Sequence, residues 1–381
     1  MGNKRKIGGL STIAELRKRY PDSRIASEIV LAGDKTLRLP STSLAFTHHL
    51  GGGVKYGTII ELLGEESTGK TMEAMDLIKV AQSLGGVGLW DDAESTFDLA
   101  WAEKNGLDLS KLELLPYENQ IELVSDWIAD MCIYYRSILT KNEPIVLVLD
   151  SIAVLESGDA LETAEMDTKA EMGRRSYLMG KLLRKRMKIF AKYGICCVFI
   201  NQIRKKVGAS RFEDPDTTPL AQVMKYYASQ RVGLYRGKRI KTNKGKGKWV
   251  GNNIYVRTKK NKSSSPRDNI QTQVFFEEYQ GNFGYSKYFG FGELLVEKGI
   301  IKRKSGTLYY KGEKICKVKE DDFSDFIQVM NTNPKLRKKL IKKFGVNTIS
   351  KTREKLESIK TNLYPVKMKV KKDAKETENN E

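Results

Sequence analysis

"GEESTGKT", Gly64 to Thr71, is the stretch on which the rest of the chain turns. Gly64, Gly69, Lys70 and Thr71 satisfy G-x-x-x-x-G-K-[ST], the pattern of a phosphate loop. Glycine allows backbone N–H groups to face an anion, and the helix that follows adds its positive N-terminal end. Glu65, Glu66, Ser67 and Thr68 complete the cradle. Lys70 is placed to reach the β- and γ-phosphates, and the Thr71 hydroxyl to bind Mg²⁺. Such a loop is informative only between a strand and a helix. Both are present: "TIIELLG" (58–64) reads as a buried strand and "TMEAMDLIKVAQSL" (71–84) as a helix. A nucleotide site is the expectation.

Outward from the loop, apolar runs alternate with helical stretches. "GVGLWDD" (86–92), "LELLPY" (112–117), "PIVLVLD" (144–150) and "ICCVFIN" (195–201) read as strands. Residues 120–139 and 170–193 read as helices. Short apolar strands separated by helices imply an α/β fold with a mainly parallel central sheet covered on both faces. After Gln230 the pattern becomes strands in series, "RVGLYR", "NNIYVRT" and "QTQVFFEEY", expected to extend the sheet with antiparallel edges.

A phosphate loop needs an acid on the metal side. Asp150 closes a buried strand at its carboxyl end, where α/β proteins place their ligands, and is assigned to Mg²⁺ through water. Hydrolysis further requires a group that orients or deprotonates water. Asp91, Asp92 and Glu94 all cluster at the end of the second candidate strand; Glu94 lies past it, with room to face the γ-phosphate.

Composition narrows the partners. The 381 residues carry a net charge of +20, and the pI is about 9.5. Arg231 to Arg267 is rich in Lys and Arg and holds no Asp or Glu, a one-sign block suited to a polyanion. His48 and His49 are the only histidines, which argues against a Ser–His–Asp hydrolase or a His-rich metal site. Cys132, Cys196, Cys197 and Cys316 make no zinc spacing and read as buried thiols of a reducing compartment. The N-terminal stretch lacks the apolar centre of a signal peptide, and Lys6 stands where a myristoylation signal wants Ser or Thr. No run of about 18 apolar residues is present, so no membrane contact is expected and the cytoplasm is the expected location.

In this order, "LGGGVKYGTIIELLGEESTGKT", "DDAE", "VLVLDSIAVL", "FINQIRKKVG", "KYYASQRVG", "KKNK" and "GELLVEKGIIKRKSGTLYYKGEKI" resemble the bacterial RecA recombinase family. The likeness spans roughly residues 38–345; many intervening positions differ, as in a divergent or phage-encoded member. It implies a RecA-type P-loop ATPase core that polymerises with ATP on single-stranded DNA, pairs it with homologous duplex DNA and exchanges strands. Within it, Lys70 and Thr71 fall on the phosphate and magnesium positions, and Asp150 and Ser151 on the second acidic motif. Glu94 falls on the catalytic carboxylate, Trp101 on an aromatic residue that stacks on adenine, and Gln202 on the glutamine that couples the γ-phosphate to DNA. Lys260 and Lys262 match two lysines placed across the subunit interface against a neighbour's γ-phosphate.

Two loops are implied to face DNA. The first, about 158–173, is acidic, with Glu162, Glu165, Asp167 and Glu171, so phosphate contact falls to Arg174, Arg175 and the helix behind them. There Arg174, Lys181, Lys185 and Lys188 share a face by spacing, and Arg184 matches a basic family position. The second loop, about 204–222, carries Arg204, Lys205, Lys206, Arg211 and Phe212, cations with an apolar wedge suited to a stretched strand. Leu220 and Ala221 stand where the family has a glycine pair, so coupling through this segment is expected to differ.

The expected organisation is a helical polymerisation arm (1–37), an ATPase core with the DNA loops (38–280), a small α+β C-terminal domain (281–345) and a basic, disordered tail (346–381). Two other functions share much of this pattern: a ring-forming helicase, and a filament that protects single strands or activates a regulator with turnover dispensable.

Overall fold

The computed structural model describes residues 37–139, 142–158, 169–205, 216–242, 247–265, 267, 269–319 and 323–359. The chain divides into two compact units, Met1–Leu37 and Arg38–Glu381, and the described elements lie in the second. Residues 1–36 of the expected arm and the 360–381 part of the tail thus fall outside the described residues.

Among the described residues nine strands build the main sheet: β1 (Ile59–Gly64), β2 (Val87–Asp92), β3 (Leu112–Pro116), β4 (Ile145–Leu149), β5 (Ile195–Gln202), β6 (Gln230–Lys241), β7 (Trp249–Asn261), β8 (Ile270–Tyr279) and β9 (Asn282–Tyr285). Their order in space is β9-β8-β7-β6-β1-β5-β4-β2-β3. From β6 to β3 every pairing is parallel, and from β6 to β9 every pairing is antiparallel. β6, read from sequence with the antiparallel series, therefore joins the parallel half through β1. The cause is local: helix α4 (Ala221–Tyr227) carries the chain back across the sheet, so β6 starts level with Ile60.

Alternation within the strands sorts residues between two faces. Ile59, Leu89, Leu147 and Phe199 face one core with Val124, Ile128 and Cys132 of α2 (Ile121–Ile138) and Met179, Leu183 and Phe190 of α3 (Lys169–Tyr193). Helix α1 (Lys70–Ser83) covers the other face, where a Cβ on Gly88 would collide with Ile78. The central strands are buried throughout, which is why they read as unbroken apolar runs. Cys132, Cys196 and Cys197 are buried thiols as expected, while Cys316 is half-buried. Among the described residues no helix is long and apolar enough to cross a membrane.

A buried charge interrupts β1. Glu61, in mid-β1, is fully buried and accepts hydrogen bonds from Arg231 Nε on β6 and, at 2.8 Å, from Asn201 Nδ2 on β5. Burial raises its pKa more than Arg231 lowers it. Removing one member of a buried pair leaves the other charge without compensation, so Glu61→Ala is expected to cost about 3–5 kcal/mol. Urea unfolding of parent and variant measures this; a loss below about 1 kcal/mol would contradict the buried pairing.

Toward the C-terminus, α5 (Phe291–Glu297), a three-stranded meander of β10 (Lys302–Lys304), β11 (Thr307–Tyr310) and β12 (Glu313–Lys317), α6 (Ser324–Thr332) and α7 (Pro334–Phe344) close a second apolar core around Phe291, Leu308, Phe326 and Leu340. The disordered tail expected from residue 346 is corrected here. Helix α8 spans Ile349–Ser358, its start capped by Thr348, which accepts from Lys351 N. Thr352 and Leu356 are buried, Asn347 Nδ2 donates to Gly52 O at 2.9 Å, and Arg353 Nη2 donates to Ser83 O at 2.6 Å. The apolar stripe is only two residues wide, too little to stand out from a Lys/Glu-rich composition.

Candidate nucleotide and DNA site

The sheet order sets the carboxyl ends of β1, β5, β4 and β2 side by side. The loop Gly64–Thr71, Gln202, Asp150 with Ser151, and Glu94 therefore form one row, although up to 138 positions separate Gly64 from Gln202 in sequence. A Cβ on Gly64 would stand 2.4 Å from Thr68 Oγ1 and 2.7 Å from Leu234 O, so no larger residue closes this turn. Gly69 has φ +86, a left-handed conformation natural to glycine, and α1 begins immediately after it. Thr68 Oγ1 donates to Glu65 O at 2.9 Å and holds the loop's shape, while Glu65, Glu66 and Ser67 are exposed.

Lys70 Nζ donates to Gly64 O at 3.0 Å and Glu65 O at 2.7 Å, folded back over the loop that it would share with a phosphate. Burial lowers its pKa, opposed by Asp150 and Glu94. Thr71 Oγ1 donates to Asp150 Oδ2 at 3.1 Å. Burial, then the charge of Glu94, pushes the Asp150 carboxyl up to about 7. A hydroxyl beside a carboxylate burdened by a second carboxylate is an all-oxygen donor set of the kind a hard divalent cation relieves, so these residues fit Mg²⁺.

Glu94 accepts from Ser151 Oγ and, at 3.2 Å, from Gln202 Nε2, so one carboxylate oxygen joins the three sequence-assigned groups. The two acids weighed beside it are engaged otherwise. Asp92 accepts from Thr96 N at 3.0 Å and Phe97 N at 2.9 Å. Asp91 is fully buried, and burial followed by Glu118 pushes it up to about 8. Gln202 N donates to Asn201 Oδ1, and Asn201 holds Glu61 and Pro219 O, so the buried Glu61–Arg231 pair braces the residue next to Gln202. Sequence reading missed this brace; the sole signal was a carboxylate inside an apolar strand.

Trp101 stands on the short helix Leu99–Lys104. Its ring lies edge-on to Phe283, with centroids 5.6 Å apart, and Lys104 Nζ sits 5.4 Å from it. The cavity that borders the loop, about 350 Å³, is lined instead by Ser67 to Met72 with Trp249, Asn252, Val274 and Phe276. Those last four were not anticipated, because they come from strands remote in sequence.

Lys260 pairs with Arg231, which is level with Glu61 on β1, three residues before the loop opens. Its Nζ donates to Lys225 O, and burial, Lys262 and Arg231 lower its pKa. Lys262 N donates to Ser229 O at 2.8 Å. Both lysines thus lie at the opposite end of β7 from the cavity.

Of the DNA candidates, Arg174, Lys181, Arg184, Lys185 and Lys188 are exposed on α3. Arg175 is turned inward instead: Nη1 pairs with Glu156 Oε1 at 3.0 Å and Nη2 donates to Ala153 O. Arg204 is exposed, and Arg204–Lys205 pairs antiparallel with Asp216–Thr217 at the base of the second loop. Lys206, Arg211, Phe212, Glu162, Glu165 and Asp167 lie outside the described residues, as does the side chain of Glu171. Leu220 has φ +56 and ψ 24, so this position keeps a left-handed conformation that the missing glycine would adopt freely, at a cost of about 1–2 kcal/mol for leucine.

A family model described as the RecA N-terminal domain matches residues 11–280. Protein RecA of Cytophaga hutchinsonii is 33% identical over 309 residues, covering 80% of this chain and 81% of that protein. Protein RecA of Nocardia farcinica is 32% identical over 311 residues, 81% of this chain and 84% of its own length. Protein RecA of Thermotoga petrophila is 29% identical over 363 residues, 91% and 95%. The chain belongs to the RecA family of ATP-dependent DNA recombinases, whose reaction is DNA-dependent ATP hydrolysis.

Proposed function

We propose that this chain binds ATP with Mg²⁺ on the Gly64–Thr71 loop, polymerises on single-stranded DNA and pairs it with homologous duplex DNA, hydrolysis releasing the filament. The observation that carries this reading is the row of Lys70, Thr71, Asp150, Ser151, Glu94 and Gln202 along the carboxyl ends of the strands, in which Thr71 donates to Asp150 and both Ser151 and Gln202 donate to Glu94. Thr71 and Asp150 hold the cation, which neutralises charge on the phosphoryl oxygens when bound. Lys70 leaves the loop carbonyls for phosphate oxygens. Glu94 orients the attacking water and takes its proton. Gln202, donating to Glu94 at the root of the second loop, supports a link between hydrolysis and the DNA held by that loop. The residue 1–37 arm is assigned to polymerisation.

ATPase rates with and without single-stranded DNA, together with strand invasion of a supercoiled duplex, test the reading. Strong stimulation by DNA and joint-molecule formation are expected; equal rates with and without DNA would refute it. DNA affinity should also fall steeply with salt, because cation contacts release condensed counterions. Arg204→Ala is expected to reduce the log–log salt slope by about 0.7, the single-strand value for one lost phosphate contact. An unchanged slope would move the contact away from the second loop.

A further inference from the structure

Lys260 and Lys262 stand where the sheet stops holding the chain. One extra residue, Lys259, enters β7 between Thr258, level with Val232, and Lys260, level with Arg231. A bulge of this kind re-aims the end of a strand. β7 then ends at Asn261. Lys262 follows it, and its N donates to Ser229 O at 2.8 Å. Residues two apart share a face of a strand, so the two lysines keep one direction only while the chain past Asn261 is held.

That chain is held first from within. Asn261 Oδ1 accepts from Ser263 N at 2.9 Å and Ser264 N at 3.2 Å, and Asn261 Nδ2 donates to Ser264 Oγ at 2.9 Å. The turn closed in this way is also gripped from outside. Arg38 Nη2 donates to Ser263 O at 2.5 Å, while Nη1 reaches Gly53 O at 3.4 Å. Ser264 packs on the same glycine turn, where a Cβ on Gly51 would stand 2.3 Å from Ser264 Cβ. The backbone of Arg38 is fixed in turn: Arg38–Leu39 pairs antiparallel with Val54–Lys55, and Arg38 O accepts from Asn347 Nδ2 at 3.4 Å.

We infer that Arg38 is a positioning residue for hydrolysis in the filament: by spanning Gly53 O and Ser263 O, it fixes the direction in which Lys260 and Lys262 are offered to a neighbouring subunit's triphosphate. This rests on the two lysines acting on the neighbour's phosphates. Arg38 does not border the cavity beside its own phosphate loop, so its effect is on the lysines alone. A guanidinium suits the task, because its planar fork holds several donors in fixed geometry where an ammonium is a point charge. Placement matters because a shift of about 1 Å in a reacting or charge-stabilising group can cost about 10²-fold in rate.

Subunit mixing with the full-length chain separates positioning from mere stapling of the fold. Arg38→Ala is expected to bind ATP within about twofold of the parent, to form filaments on single-stranded DNA, and to lose about tenfold or more in DNA-stimulated turnover. Mixed with Lys70→Ala, whose lysines are intact, it should hydrolyse faster than either variant alone. Mixed with the double variant Lys260→Ala/Lys262→Ala it should gain nothing, because neither subunit then offers a placed lysine pair. Arg38→Lys keeps the cation and a donor without the fork. It should turn over at a rate between those of the parent and Arg38→Ala, and it carries the same two mixtures if the alanine variant does not fold. The inference is overturned if neither variant slows turnover, if the loss is matched by an equal loss of ATP affinity, or if activity returns on mixing with the lysine double variant. Failure of the underlying reading has a different signature: the lysine double variant would itself hydrolyse at the parent rate, and the inference would fall with it.

Discussion

Glu94→Gln is expected to bind ATP within about twofold of the parent, to assemble on single-stranded DNA, and to turn over at least a hundredfold more slowly, the lower end of what a positioned base supplies. The structure makes the substitution unusually clean. Both groups that hold Glu94, Ser151 Oγ and Gln202 Nε2, donate to its Oε1, and a glutamine carbonyl oxygen accepts the same two bonds. Packing and position survive; only the capacity to take a proton is lost. A variant that lowers turnover without weakening binding has lost an interaction made in the transition state. Nucleotide affinity by titration, filaments by electron microscopy and steady-state hydrolysis are the three measurements. Hydrolysis at the parent rate would reject Glu94 as the base. Asp92 would not take its place, because its two oxygens cap the backbone at Thr96 and Phe97. A filament that keeps strand pairing while Glu94→Gln blocks turnover would separate the recombinase from the bare hydrolase within one variant.

The same residues show why some of this architecture is legible in a single sequence and some is not. β1, β4 and β5 are buried on both faces, so each is a run of apolar residues that no solvent-facing element reproduces. Their carboxyl ends are where ligands gather, so the loop and Asp150 could be placed from the sequence, and Gln202 by the resemblance. Glu94 could be ranked over Asp91 and Asp92 because it lies past the strand end. Trp249 could not be found this way. Its relation to the loop depends on how far β6 overruns β1, a register that no periodicity encodes. Trp101, matched by the resemblance, lies edge-on to Phe283, on a short helix capped by Asp98. Arg175 looked like its neighbour Arg174, yet one position along α3 is a rotation of about 100°, enough to move a guanidinium from the exposed face to Glu156. Helix α8 was hidden by charge, and Glu61 by the rule that carboxylates do not belong in a central strand.

Lys260→Ala combined with Lys262→Ala is expected to remove DNA-stimulated turnover by about 10³-fold or more, the scale on which a cation supplied in trans to a transferring phosphoryl group acts. The lysines cannot serve their own loop. Lys260 stands opposite Arg231 and level with Glu61, three strand residues short of the Gly64 turn and separated from β1 by β6. Its chain runs to Lys225 O, away from the loop. Meanwhile its pKa is lowered by burial and by the neighbouring cations Lys262 and Arg231, a concentration of positive charge that an incoming anion would relieve. A neighbouring subunit's triphosphate is such an anion, and its arrival would complete a site that a lone subunit lacks. The measurement that decides is subunit mixing. The double variant retains its loop and lacks its lysines; Lys70→Ala retains its lysines and lacks its loop. Each alone should be inactive. In mixed filaments a fraction of interfaces joins an intact loop to an intact lysine pair, and activity should return in proportion to that fraction, peaking near equal amounts. Monomer folding of the double variant, checked by thermal melting, should match the parent, because the bond to Lys225 O is a half-exposed contact that the core does not use. Mixed filaments that form but hydrolyse no faster than either variant alone would place Lys260 and Lys262 on a DNA-facing or solvated surface and leave the dependence of this ATPase on its filament to some other group.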